Sequence, residues 1–299
     1  MATAITKPTS LDFILMGLTA IIWASAFIAI KVVVLETGPW WLAAFRVGIA
    51  FIVLIPYVIW RGWIWPSSNK VWVMVFIMAL FNVVLPFFFI SWAETRIDAG
   101  ITALLVGTGP FMALIGSHIF TQDDKITPQK AFAVAMGFAG ILVVVGGDTL
   151  SGLGGSTLLA QMAAVGAAFS YTVSGILVRK IDLPPIRLGF FAFGAGFAQL
   201  LVLAFLFEGP PSLAYSTPVV LTLLYLGVFP TALGQLLRLT LIQRVGYAVF
   251  ALTLNLIPVI GVALGALLLG EVISTRTVIA LVLVMAGVWV SQQSGKSKT

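Results

Sequence analysis

A chain of 299 residues that is 61% hydrophobic and only 9% charged cannot cover a water-facing surface, because soluble domains carry about 25% charged residues. Its mean hydropathy of +1.14 makes lipid or other apolar helices the solvent of most side chains. The net charge of +6 comes from basic residues set singly or in pairs between apolar runs, the pattern of loops at a membrane surface rather than of a nucleic-acid-binding stripe. With no cysteine and a single histidine, His118, the chain also lacks the means for disulfides, thiol chemistry, a histidine zinc site or a catalytic triad.

The first residues, Met1–Leu11, are polar and lack the pattern of a removable signal peptide, so the first apolar run is read as a retained span. A transmembrane helix needs about 20 mainly apolar residues. Ten such runs follow, at roughly 12–34, 40–60, 71–92, 98–120, 128–147, 156–178, 186–207, 217–238, 246–269 and 275–292. The joins are marked by Gly38-Pro39, Pro66-Ser67-Ser68, Asp123-Asp124-Lys125, Gly152–Ser156, Pro184-Pro185 and Gly209-Pro210-Pro211. No linker is long enough for a soluble domain. Barrel strands of about 10 alternating residues do not fit these runs. Trp40 and Trp41 at one interface, and Trp60, Trp63 and Trp65 at the other, read as an interfacial belt.

Lysine and arginine set the orientation. With the N-terminus on one side, that side receives 12 of them and the other only Lys31, Arg96 and Arg276. The expectation is an inner-membrane protein with both termini cytoplasmic. Slid on itself by 148 residues, the chain places Pro110 on Pro258, Asp123 on Glu271, Phe45 on Phe193, Gly48 on Gly196, Phe81 on Phe229 and Arg96 on Arg244. Five spans fall on five spans without a gap. An odd number per half makes the second half enter from the opposite side. The expected fold is therefore an all-α membrane protein of ten transmembrane helices, built as two inverted five-helix repeats, 1–149 and 150–299.

The stretch Trp23-Ala-Ser-Ala-Phe-Ile-Ala-Ile-Lys31, the pair Phe45-Arg46, and the acid-terminated stretches Gly100 to Asp123 and Ala248 to Glu271 carry a resemblance. Together with the five-plus-five layout, they resemble the EamA-type exporters of the drug/metabolite transporter superfamily, and among these the bacterial aromatic amino-acid exporters. The likeness covers the whole chain. Asp123 departs from the glutamate usual there, and Phe169-Ser-Tyr-Thr-Val matches the first span poorly. The resemblance implies export of amino acids, aromatic ones included.

Broken helices at corresponding positions point to a site near the midplane. Pro110 and Pro258 correspond, and Pro86 and Pro230 interrupt spans 3 and 8; these four are the candidate hinges. Each proline frees a carbonyl that needs a partner in hydrocarbon; a packing kink is the plainer alternative. Polar and aromatic groups at mid-depth supply the candidate substrate contacts: Trp23, Met78, Phe81, Asn82, Thr108, Tyr171, Thr231, Gln235, Thr253 and Asn255. Asn82 shares a helical face with Met78, Leu85 and Phe89, and Gln235 with Gly227, Thr231 and Arg238. The alternative for Asn82 and Asn255 is hydrogen bonding between helices. Ser170, Ser174 and the Gly261/Gly265 pair read as packing residues.

Arg46 is expected to pair with Glu36 or Glu94 or to snorkel outward, with a substrate carboxylate as the alternative, and Lys31 reads likewise as structural. Asp12, Asp98, Asp123, Glu208 and Glu271 sit at span ends, so no acid is placed at mid-depth, where a proton antiporter using a buried carboxylate would need one. The expected cavity, ringed by spans 1, 3, 4, 6, 8 and 9 with spans 5 and 10 outside, then suits neutral, zwitterionic or amphipathic solutes. A monomeric exporter without cofactor or metal, working by alternating access on small molecules in the lipid bilayer, is the favoured class. Other amphipathic metabolites or drugs are the second substrate class. A lipid-modifying enzyme would have to use Asp123-Asp124-Lys125, which lacks a histidine partner or metal-ligand spacing. A channel would need a ring of repeated polar residues.

Overall fold

The computed structural model describes residues 8–62, 65–120, 127–150, 156–178, 180–212 and 214–293. Trp63, Asp123, Asp124, Lys125 and Leu153 lie outside the described residues. Every described element is a helix, and ten are long and apolar enough to cross a membrane. Spans 1, 2 and 3 are Ser10–Thr37, Pro39–Trp60 and Asn69–Glu94. Span 4 comes in two pieces, Ala99–Val106 and Gly109–Phe120. Spans 5, 6 and 7 are Pro128–Leu150, Ser156–Val178 and Pro185–Glu208. Spans 8, 9 and 10 are Thr217–Val245, Tyr247–Leu269 and Thr275–Gln293.

Local chemistry starts and stops these helices. Thr9 and Asp12 form a reciprocal capping box at the start of span 1. Proline occupies the first turn of spans 2, 7 and 8, where its missing N–H is no loss. Spans 1 and 2 meet at Gly38, and spans 8 and 9 at Gly246, with φ of 77° and 82°. Only glycine adopts that backbone freely, so each junction turns on one residue.

Spans 3 and 8 are each interrupted by a π-helical segment, Leu80–Val84 and Gly227–Leu233. Adding 148 to 80–84 gives 228–232, inside the second segment, so the two halves break at corresponding places. Prolines mark these places in the sequence but do not reveal the π geometry. The interruption expected in span 9 is absent, because Pro258 lies within an unbroken helix. The break is in span 4 alone, at Gly107-Thr108. There the Thr108 hydroxyl donates to the Leu105 carbonyl (2.6 Å), which also accepts the Thr108 N–H (3.2 Å). Span 8 runs on to Val245, which puts Arg238 inside the helix rather than in the loop after it.

The most extensive interfaces join spans 1–9, 4–6, 3–6, 1–8, 3–7, 2–8, 2–7, 4–9 and 5–10. Exchanging each span for its counterpart five places on maps this set onto itself. Pairs 2–7, 4–9 and 5–10 are their own images and lie on the pseudo-two-fold axis. Small residues permit the close approaches. A Cβ at Gly48 would lie 2.6 Å from the Phe197 ring, and one at Gly196 2.8 Å from Val83. Gly261 faces Ala103, and Gly107 packs directly on Pro258 where spans 4 and 9 cross. The outward faces are Leu, Val and Phe, among them Leu35, Leu142, Val202, Leu206 and Leu267. Such a surface is stable only against lipid. Trp41 departs from the expected belt: it is buried and donates its indole N–H to the Gly209 carbonyl (2.9 Å).

Candidate transport site

Arg46 is the centre of the interior. Its side chain is 95% buried in span 2, about two turns from the helix start. It pairs with neither Glu36 nor Glu94, contrary to the expectation from sequence. Nε and Nη2 both donate to Thr231 Oγ1, at 3.2 and 3.1 Å. The guanidinium lies over the Phe87 ring at 4.2 Å, a favourable cation–π placement. Thr231 passes its own proton to the Leu226 carbonyl five residues back, at 2.7 Å. The π segment of span 8 thus aims an oxygen at Arg46. Gly227 lets span 8 approach, since a Cβ there would lie 2.5 Å from Ile49. Nη1 of Arg46 has no acceptor among the described residues.

Trp23 joins the same seam from span 1. Its indole N–H donates to the Pro230 carbonyl (2.9 Å), its ring meets Phe250 edge-on at 6.0 Å, and Gly234 leaves room for it. One turn nearby, Ser25 and Tyr225 share a 2.5 Å hydrogen bond. Below the seam, Arg238 donates to Gln235 Oε1 at 3.4 Å, and Gln235 packs over Gly189 of span 7. Tyr171 of span 6 packs against the apolar cluster shared by spans 1, 3, 4 and 8.

Of the candidate set, these contacts put Thr231 on Arg46, join Trp23 to Pro230 beside Thr231, and leave Gln235 against Arg238 and Gly189. Asn82 lies elsewhere: its Oδ1 accepts from Ser174 Oγ at 3.0 Å, joining spans 3 and 6. Ser174, which reads from sequence as a packing residue, is therefore the partner of Asn82. Met78 is buried in the apolar cluster that spans 2, 3 and 7 share. Thr108 and Thr253 are buried, and Thr253 Oγ1 has no hydrogen-bond partner among the described residues. Phe81, Asn255 and Pro110 are partly exposed, while Pro86 and Pro258 are buried. Arg46 is a buried charge that the expected neutral set of contacts does not include. Its signal is the one cation within an apolar run, and Gln235-x-x-Arg238 marks the second.

The face of the bundle away from the termini is tied by charged groups. Glu208 accepts from Trp40 N and Trp41 N, both at 3.1 Å, capping span 2 from the end of span 7. Glu271 accepts from Ala99 N (2.7 Å) and Gly100 N (2.9 Å), capping span 4 from beyond span 9. Lys31 donates to the main-chain oxygens of Glu94 (2.9 Å) and Ile97 (2.8 Å). On the other face, Asp12 pairs with Arg244 at 3.2 Å, and Arg187 donates to the Arg61 and Gly62 carbonyls.

Known proteins resemble the chain over nearly its whole length. The model of the EamA-like transporter family matches residues 12–146 and again residues 158–292. An uncharacterized transporter of Archaeoglobus fulgidus is 28% identical over 281 residues, covering 93% of this chain and 97% of its own. A protein of Streptantibioticus cattleyicolor named a probable terminal-alkyne amino-acid exporter is 26% identical over 281 residues, covering 91% and 90%. A crystal structure titled only as that of a protein superposes with a TM-score of 0.66 at 20% identity, covering 97% of this chain and 99% of the other. That likeness concerns the fold alone.

Proposed function

The chain belongs to the EamA-like transporter family and is a multi-pass membrane transporter, and from that premise we propose that it exports amino acids, aromatic and other neutral ones, by alternating access between two inverted repeats, 1–149 and 150–299. The observation that carries this reading is Arg46. It is a buried guanidinium with a neutral partner and, among the described residues, no carboxylate bonded to it and a donor left over. A buried charge of this kind is costly unless it is paired. A substrate carboxylate supplies the missing acceptor, and Trp23 and Phe87 supply aromatic faces beside it. The exporter name of the Streptantibioticus relative points to the same substrate class. The excess of basic residues on the terminal side supports an inner-membrane protein with cytoplasmic termini.

The test is uptake of labelled phenylalanine, threonine and a sugar phosphate into proteoliposomes. Phenylalanine and threonine should enter and the sugar phosphate should not. Arg46→Gln should raise KM for phenylalanine about 10-fold or more, the loss of one charge-assisted hydrogen bond. It should leave phenylethylamine, which has no carboxylate, much less affected. Transport of the sugar phosphate alone would refute the substrate assignment.

A further inference from the structure

Glu94 closes span 3 at the face away from the termini, where acids are ordinarily solvated. Here it is 1% exposed, and neither carboxylate oxygen has a hydrogen-bond partner among the described residues. Every other charged group around it is engaged elsewhere. Lys31, from span 1, donates to the main-chain oxygen of the same residue rather than to its carboxylate. Arg46, from span 2, is bonded to Thr231. Glu271, beyond span 9, is bonded to two amide N–H groups of span 4. Span 6 packs on the same stretch of span 3 and offers Tyr171 as its titratable residue, whereas Ala99–Val106 of span 4 offers none.

A structural acid in this place would be bonded to Lys31. A carboxyl group left bare in an apolar interior lacks a counter-charge, and only a proton or another cation can take that place. Arg46 is committed to Thr231 and is the group assigned to the substrate carboxylate. The substrate's own ammonium group is then the cation available to Glu94. We propose that Glu94 is the exchange site of the transporter, taken in turn by a proton and by the ammonium group of an amino acid whose carboxylate is held by Arg46. This deepens the amino-acid exporter reading and rests on it. In one half-cycle the ammonium group displaces the proton, which leaves the carboxyl oxygen for water on the terminal side. In the other half-cycle a proton from the opposite side displaces the substrate. One site that accepts either occupant, but not both, gives antiport, so an inward proton gradient drives export. The same site selects amines over plain carboxylic acids, because an acid lacking the ammonium group leaves ionised Glu94 bare.

Proteoliposomes holding phenylalanine and a pH-sensitive dye test this. Wild-type protein should move protons opposite to phenylalanine, and acidifying the binding side should competitively weaken phenylalanine binding but not that of 3-phenylpropionate. In Glu94→Gln the proton flux accompanying each phenylalanine should be lost, together with the preference for phenylalanine over 3-phenylpropionate. Glu94→Asp should recover part of both. Phenylalanine transport by wild type without counter-moving protons overturns the proposal and leaves the exporter reading standing. Unchanged coupling and preference in Glu94→Gln overturns it too. Failure of wild type to move phenylalanine at all overturns both. If the variants do not fold, the pH competition on wild-type protein decides alone: competition supports the proposal, and its absence overturns it.

Discussion

A guanidinium inside a bilayer depends on the few oxygens aimed at it. Arg46 has one, Thr231 Oγ1, which takes two of its donors while donating to Leu226. Thr231→Val keeps the shape and removes the oxygen, leaving a buried charge without an acceptor. The expected loss is about 1.5–3 kcal/mol, the worth of hydrogen bonds to a charged group, read as a lower midpoint of thermal unfolding in lipid or detergent. Thr231→Ser should restore most of it, and equal midpoints for Val and Ser would refute the contact. Arg46 itself stands out in the sequence as a cation in an apolar run. Its partner does not, because Thr231 is 185 positions away and faces Arg46 only through the π segment. Glu94 escapes the sequence for a related reason. An acid at the end of an apolar run reads as solvated, and only the packing of neighbouring spans shows it covered.

At the scale of the helix, length and hydropathy make all ten spans legible, with ends close to those observed. Hydrophobic runs in a bilayer must be helical to satisfy their backbone, so little else is possible. How a helix is interrupted is less legible. Pro86 and Pro230 announce that spans 3 and 8 deviate, but a proline does not say whether the result is a kink, a break or a π turn. Pro258 suggests a break that does not occur: span 9 continues through it, and Gly107 of span 4, lacking a side chain, leaves room for its ring. The glycines give a test at this scale. Gly227→Ala places a methyl 2.5 Å from Ile49 and 3.1 Å from the Arg46 carbonyl, at the junction of spans 2 and 8. Overpacking of this kind costs about 1–3 kcal/mol, and it should also disturb Arg46 and so raise KM for phenylalanine. Gly175→Ala, with nothing within 4 Å, should change neither stability nor KM. Equal behaviour of the two variants would contradict the close contact.

The molecule as a whole is organised by its pseudo-two-fold. Its extensive interfaces fall into image pairs, its π segments correspond, and spans 2–7, 4–9 and 5–10 meet on the axis. A repeat of five spans relates the halves by an axis in the membrane plane, because the odd number inverts the second half. Ser67 precedes span 3 and Ser212 follows span 7, and both are exposed. Five spans separate them, so they must lie on opposite sides of the bilayer. Basic residues crowd the side of Ser67, so we propose that this side is the cytoplasmic one. In intact cells, a membrane-impermeant thiol reagent should label Ser212→Cys and leave Ser67→Cys unlabelled until the membrane is opened. The background is clean, because the chain has no cysteine of its own. Labelling of both from one side would remove the inversion, and with it the geometry that lets one buried site face each side of the membrane in turn. Labelling with the sides exchanged would keep the inversion and reverse only which face of the membrane the termini occupy.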